Sequence, residues 1–163
     1  MTKLRNFFLL LLFPLLLASK SNSFENSILL HIFNNSDVAN IGDATGIRGS
    51  STAGSLYVTL HTADPGEGGS CTTSEATYTS YARVAVARSG AGWTVSGNQA
   101  SNAAVVQFAQ ATGGSNTITY FGICAASSGA SLLLFSGALS GSLSVTTGVI
   151  PRFPIGNLAV TED

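Results

Sequence analysis

Charged residues are scarce in this chain. Asp, Glu, Lys and Arg make up 9% of its 163 residues, and the formal net charge is −1. Nucleic-acid-binding proteins present a basic stripe to phosphates, and this sequence has none, so we expect no nucleic-acid partner. An apolar fraction of 45% argues against intrinsic disorder. A charge-poor surface is typical of subunits in assemblies, because charged residues are depleted at the cores of interfaces.

The sequence also lacks the motifs of common catalytic and cofactor sites. It has two histidines, no nucleophile elbow and no Gly-rich loop that opens a helix. His61 and Asp64, followed by Glu67 and Glu75, are residue types that bind metals or transfer protons. His61 lies in an expected strand and Asp64 begins a turn, which favours an outward-facing histidine and solvated carboxylates. We therefore predict no enzyme activity, no catalytic residue, no cofactor and no metal ion.

Cysteine is nearly absent, with only Cys71 and Cys124 in the chain. A secreted chain would join the two in a disulfide, whereas a protein that folds in a reducing cytoplasm would keep both thiols. Cys124 lies in the apolar segment Tyr120–Ala126, which is typical of a small buried hydrophobic residue. Between these alternatives we favour two free thiols.

The N-terminus holds the one long apolar run, Phe7–Leu17, which follows Lys3 and Arg5. This arrangement is typical of a secretory signal peptide, with cleavage expected after Ser21. The run is shorter than the roughly 20 residues that span a membrane, so we expect no membrane segment in the mature chain. The alternative, given below, is that residues 1–17 are an upstream segment wrongly assigned to the gene.

Glycine, serine, threonine and valine are abundant, a composition typical of a β-protein with many short turns. Apolar and polar residues alternate from Leu56 to Thr62, Pro65 and the neighbouring glycines stop this pattern, and alternation resumes at Ala82. The pattern predicts an all-β fold with a single β-sandwich, for which a jelly roll is one candidate topology. Its expected strands are Leu56–Thr62, Ala82–Ala87, Trp93–Ser96, Gln99–Asn102, Val105–Phe108, Tyr120–Ala125, Leu132–Phe135, Leu143–Val145 and Leu158–Val160.

Turn-forming residues separate these strands, including the segment Ser136–Gly141. Pro151 and Pro154 favour an extended edge segment near the end. Before the strands, Phe24–Phe33 predicts a short amphipathic helix capped by Ser23, and the polar, Gly-rich Ser36–Ser55 predicts an extended arm or a loop. The expected division is therefore an N-terminal segment (1–17), a helix and arm (18–55) and a β-sandwich domain (56–163).

Several blocks resemble a family of small bacteriophage structural proteins, usually named phage tail fibre proteins. They are LYVTLHTADPGEGG at 56–69, YTSYARVAVARS at 78–89, GWTVSG at 92–97 and VTED at 160–163. Members of that family tend to begin near Ala18–Asn26, which is the basis for treating residues 1–17 as a gene-assignment error. The resemblance implies a non-enzymatic virion protein that is assembled in the host cytoplasm and associated with the tail fibre. The compact size and the lack of a repeat that would build a fibre shaft equally suit a capsid decoration, or cement, protein. Its expected partners are other virion proteins, capsid or tail, and further copies of itself.

A contact surface is predicted at Tyr78, Tyr81, Arg83 and Trp93, because two of the aromatic residues fall in a loop. Aromatic residues of β-sandwiches also fill cores, so the same residues have a structural interpretation. The rival function is a secreted bacterial β-sandwich domain that binds carbohydrate. A true signal peptide at 1–21 and a Cys71–Cys124 disulfide would favour that rival.

Overall fold

The computed structural model describes residues 19–162, so the interpretations of residues 1–17 lie outside the described chain. The described part contains one helix and nine strands. They are α1 (Asn22–Asn34), β1 (Ser55–His61), β2 (Val84–Ala87), β3 (Trp93–Ser96), β4 (Gln99–Asn102), β5 (Val106–Gln107), β6 (Asn116–Cys124), β7 (Leu133–Val145), β8 (Arg152–Phe153) and β9 (Ala159–Thr161).

The strands form three antiparallel sheets. The largest has the order β2-β1-β6-β7, the second has the order β3-β4-β9, and β5 pairs with β8. Buried side chains from all three sheets and from α1 belong to one hydrophobic core. This arrangement confirms the predicted all-β fold with a short N-terminal helix.

Two of the predicted strands, Trp93–Ser96 and Gln99–Asn102, match β3 and β4 at both ends. Between them Gly97 takes a left-handed backbone with φ of 59°, which glycine adopts without steric cost. A two-residue turn flanked by short alternating segments is a strong local pattern, because it needs no information from distant residues. This explains the accuracy of the prediction at this hairpin.

The prediction was wrong at Ser136–Gly141, where the chain continues as part of β7 instead of turning. The pairing register does break nearby: Tyr120 pairs with Ala138, and Ile118 pairs with Leu143. The residues of β7 between those pairs outnumber the one residue of β6 opposite them, so they form a bulge. Small residues permit such a bulge as easily as a turn, and the sequence pattern alone does not separate the two.

Helix α1 confirms the predicted helix, with a different cap. Ser21, not Ser23, is the N-cap, and its side-chain oxygen accepts a hydrogen bond from Phe24 N at 3.3 Å. Asn35 ends the helix in the left-handed conformation. The buried face holds Phe33, whose ring lies 4.7 Å from that of Trp93 and 5.5 Å from that of Phe135, measured between centroids.

The segment Ser36–Ser55 is a loop, not the extended arm that was one of its two predicted forms. It folds back on itself, with an antiparallel bridge between Val38 and Ile47. Arg88 then fastens the ends of the helix and of this loop by donating hydrogen bonds to the carbonyl oxygens of Ile32, Ala53 and His31. These contacts fix the segment against the rest of its own chain.

Candidate functional site

The four residues predicted as a contact surface do not form one exposed patch. Trp93 is fully buried and packs on Phe33, away from the other three. Tyr78 is 2% exposed, and its ring lies 5.4 Å from that of Tyr81. In this chain these side chains make intramolecular contacts, which agrees with the structural interpretation of the aromatic residues. Their role in contacts with a partner stays a prediction.

Arg83 and Glu75 form an ion pair in the loop that joins β1 to β2. Arg83 Nε lies 2.7 Å from Glu75 Oε1, and the second terminal nitrogen donates to Glu75 Oε2 at 2.8 Å. The Tyr81 hydroxyl donates to the same carboxylate at 3.0 Å. Hydrogen bonding to Glu75 raises the pKa of Arg83, and burial raises the pKa of Tyr81. Arg83 therefore keeps its charge and Tyr81 its phenolic proton at neutral pH.

The remaining donors of Arg83 hold the turn between β6 and β7. They reach the carbonyl oxygens of Ala126 and Gly129 and the hydroxyl of Ser131, at 2.8 to 3.2 Å. A guanidinium has five N–H donors, and all five are used inside this chain. Arg83 thus has no donor left for a partner in this conformation, and its evident task is to join two loops.

The structure overturns the preference for free thiols, because Cys71 and Cys124 form a disulfide. Both residues are fully buried, and the bond connects the loop after β1 to the end of β6. The apolar surroundings of Cys124 were read correctly as burial, but burial does not distinguish a thiol from a disulfide. Only the fold brings the two Cα atoms to 6.0 Å, a separation that suits a disulfide.

The prediction of an outward-facing His61 was also wrong. Its side chain is fully buried, with Nδ1 2.8 Å from Thr73 O and Nε2 2.7 Å from Thr59 Oγ1. A neutral imidazole satisfies both contacts, since Nδ1–H donates to the carbonyl and Nε2 accepts from the hydroxyl. Burial lowers the pKa of His61. Asp64 does form the expected turn, accepting from Gly66 N at 2.8 Å.

These placements bring no metal-ligating cluster together in residues 19–162. No three His, Cys, Asp or Glu side chains in that range group as metal ligands. Over the same residues, no helix is long and apolar enough to cross a membrane.

The open features of the described surface include a strand edge and a groove. No strand of the described chain pairs with the outer edge of β7. A groove of about 440 Å³ lies between the Ala138–Leu143 part of β7 and the Pro151–Pro154 segment, with Leu60 and Phe121 in its lining. No charged residue occurs in the sequence between Arg88 and Arg152. This uncharged run is a sequence signal for the region, but only the strand order shows that β7 lies at an edge of its sheet.

A family model described as podophage GP4 fiber I protein gp80 matches residues 19–161. The chain belongs to this family. The match runs from before α1 to the end of β9, so it contains the whole of the described fold. The resemblance to phage tail fibre proteins is thereby confirmed, and the fibre protein is a structural component of a bacteriophage virion. None of the curated proteins compared with the chain matches it.

Replacing Arg83 should destabilise the fibre protein because it leaves the Glu75 carboxylate without its cation. We expect Arg83→Met to lower the free energy of unfolding by about 3–5 kcal/mol, and the double variant Arg83→Met/Glu75→Leu to lower it by less. Urea unfolding followed by circular dichroism measures both. Arg152→Met is the matched control, since Arg152 is exposed. If Arg83→Met and Arg152→Met lowered the free energy of unfolding equally, the Arg83–Glu75 pair would not contribute to the stability of the fold.

Burial of neutral His61 should make the stability of the fold depend on pH. The pKa of His61 is lowered in the folded state, so its stability contribution is complete above the unfolded value of about 6.5 and is lost as pH falls below it. Urea unfolding at about pH 8 and about pH 5 should show a smaller loss on acidification in His61→Gln than in the natural sequence. Identical losses in both proteins would contradict a neutral, buried His61.

Proposed function

We propose that this fibre protein is a non-enzymatic building unit of the virion fibre, which works through contacts with other virion proteins and with further copies of itself. The observation that carries the proposal is the family match over residues 19–161. The fold supports it, because the polar and ionic clusters described above hold the chain's own loops together. What the β7 edge offers to a partner is unpaired backbone groups and uncharged side chains.

The outer edge of β7 is the part of the surface best suited to such contacts. An unpaired strand edge presents N–H and C=O groups that pair with another strand. Many monomeric proteins protect such edges with lysine, proline or inward-pointing charges, and β7 has none of these residues. The bulge interrupts the C-terminal half, and a second register shift falls between Leu133 and Phe135. The regular part of the edge therefore runs from Phe135 to Ala138. We propose that this edge pairs with the same edge of a second copy.

Self-pairing of one edge gives an antiparallel contact with two-fold symmetry, in which each copy uses the same residues. Because the edge carries no charge, the contact places no like charges opposite each other. Strand addition of this kind draws its affinity from main-chain hydrogen bonds. This explains how a chain with few charges and few exposed aromatic residues would still associate specifically.

Within the virion we propose a place in the fibre, in keeping with the family description. The competing place is the head lattice, as a capsid decoration protein. The secreted carbohydrate-binding domain is a weaker proposal: the disulfide suits it, but the family match does not. A disulfide is equally suited to a particle that persists outside the cell.

Quantitative mass spectrometry of purified particles tests the placement. We expect the protein to be abundant in particles and to copurify with fibre components after gentle disruption, at a copy number well below that of the major capsid protein. A copy number that matches the capsid lattice would place the protein on the head instead of the fibre. Recovery only from the particle-free medium would overturn the virion proposal.

A charge placed on the β7 edge should block self-association. Ser136 is exposed on this edge, so Ser136→Lys should convert oligomers of the purified protein into monomers. Size-exclusion chromatography with light scattering measures the mass. Gln99→Lys is the matched control, because Gln99 is also exposed but lies on β4, which is paired on both sides. A monomeric natural protein, or equal association of both variants, would remove the β7 edge from the proposal.

A further inference from the structure

The loop between β1 and β2 is held in place in two different ways along its length. Its second part, from Thr73 onwards, is fastened by several independent contacts. Ser74 O accepts from Thr62 N at 2.8 Å, Ala76 N donates to Leu60 O at 2.8 Å, and Glu75 pairs with Arg83. This part would keep its position if any one of these contacts were lost.

The first part, residues 63–72, is here called the loop tip. Its hydrogen bonds within the described chain remain inside the loop, except that Cys71 N donates to Ser131 O at 3.2 Å. Pro65 is buried, but the glycine-rich stretch after it is largely exposed. Apart from the continuing backbone at its two ends, the tip is joined covalently to the rest of the fold by the Cys71–Cys124 disulfide. The tip therefore depends on that bond far more than the second part of the loop does.

The loop tip also forms one wall of a groove. Asp64, Gly66 and Glu67 lie on the tip side of this space of about 500 Å³. Tyr120 of β6 and the first residues of β7 (133–136) lie on the other side. The position of the tip thus decides whether the groove exists, and the groove borders the same half of β7 whose edge is open.

We propose that the Cys71–Cys124 disulfide is a redox-controlled latch, which holds the loop tip against β6 and so creates this groove only in the oxidised protein. The inference goes beyond the proposed structural function and does not depend on where the protein sits in the particle. Formation of the bond removes two protons and two electrons from the thiols, which dissolved oxygen or a small-molecule disulfide accepts. A dithiol reverses the reaction and becomes a disulfide itself.

The environment of a virus particle supplies such a change. A virion protein is made in a reducing cytoplasm and is later exposed to an oxidising medium. The groove would be absent during assembly and present after release. Because both cysteines are fully buried, a reductant reaches the bond only after the tip opens. Reduction should therefore be slower than that of an exposed disulfide, and its rate should level off as dithiol concentration rises.

Amide hydrogen exchange tests the latch on the full chain. Oxidised protein is compared with protein treated with dithiothreitol, and intact mass verifies the gain of two hydrogens. We expect exchange in the loop tip to rise at least several-fold on reduction, with no change in β1, in β6 or in the Glu75–Arg83 segment. The double variant Cys71→Ala/Cys124→Ala should show the same open tip with and without dithiothreitol.

Two results would overturn the latch. Equal protection of the tip in oxidised and reduced protein would show that the disulfide does not position it. Faster exchange across all strands on reduction would show that the bond supports the whole fold rather than one segment. If the double variant fails to fold, the reduced natural protein still distinguishes these outcomes, since it contains no substitution.

Discussion

Burial of the central strand β1 on both faces is the constraint on which the rest of the structure depends. Leu56, Val58 and Leu60 face the shared core, as expected for one side of a sheet. The other side carries Thr59 and His61, which are also buried. Buried polar groups need hydrogen-bond partners, and the loop after β1 supplies them by covering that face. The Arg83 cluster and the disulfide then keep the loop where it is.

The use of charged side chains to attach loops also explains why the β7 edge is uncharged. Ionic and polar side chains are used inside the chain to attach loops, while a long part of the sequence, from β3 through β7, has no charge at all. An uncharged strand edge suits assembly better than free existence in solution, since such edges pair readily with other strands. Such an edge agrees with membership of a virion fibre family.

Sequence patterns predicted the local features well. The Trp93–Asn102 hairpin, the helix and the all-β class follow from alternation, turn residues and helical spacing within short windows. The N-cap was misplaced locally, at Ser23 instead of Ser21. The larger failures involve residues far apart in the chain. His61 was expected to face outward because alternation describes one strand, and its burial depends on Thr73 and the covering loop. The Ser136–Gly141 segment was expected to turn because its pairing with β6 was not known.

The sequence by itself determined the family, the fold class and the shortage of charge, because these depend on ordered motifs and on composition. The tertiary structure alone decided the disulfide, the buried histidine and the burial of Tyr78 and Trp93. Each of those properties depends on which segments lie side by side, and antiparallel sheets join residues far apart in the chain. Strand order, which places β7 at an edge, belongs to the same class of property.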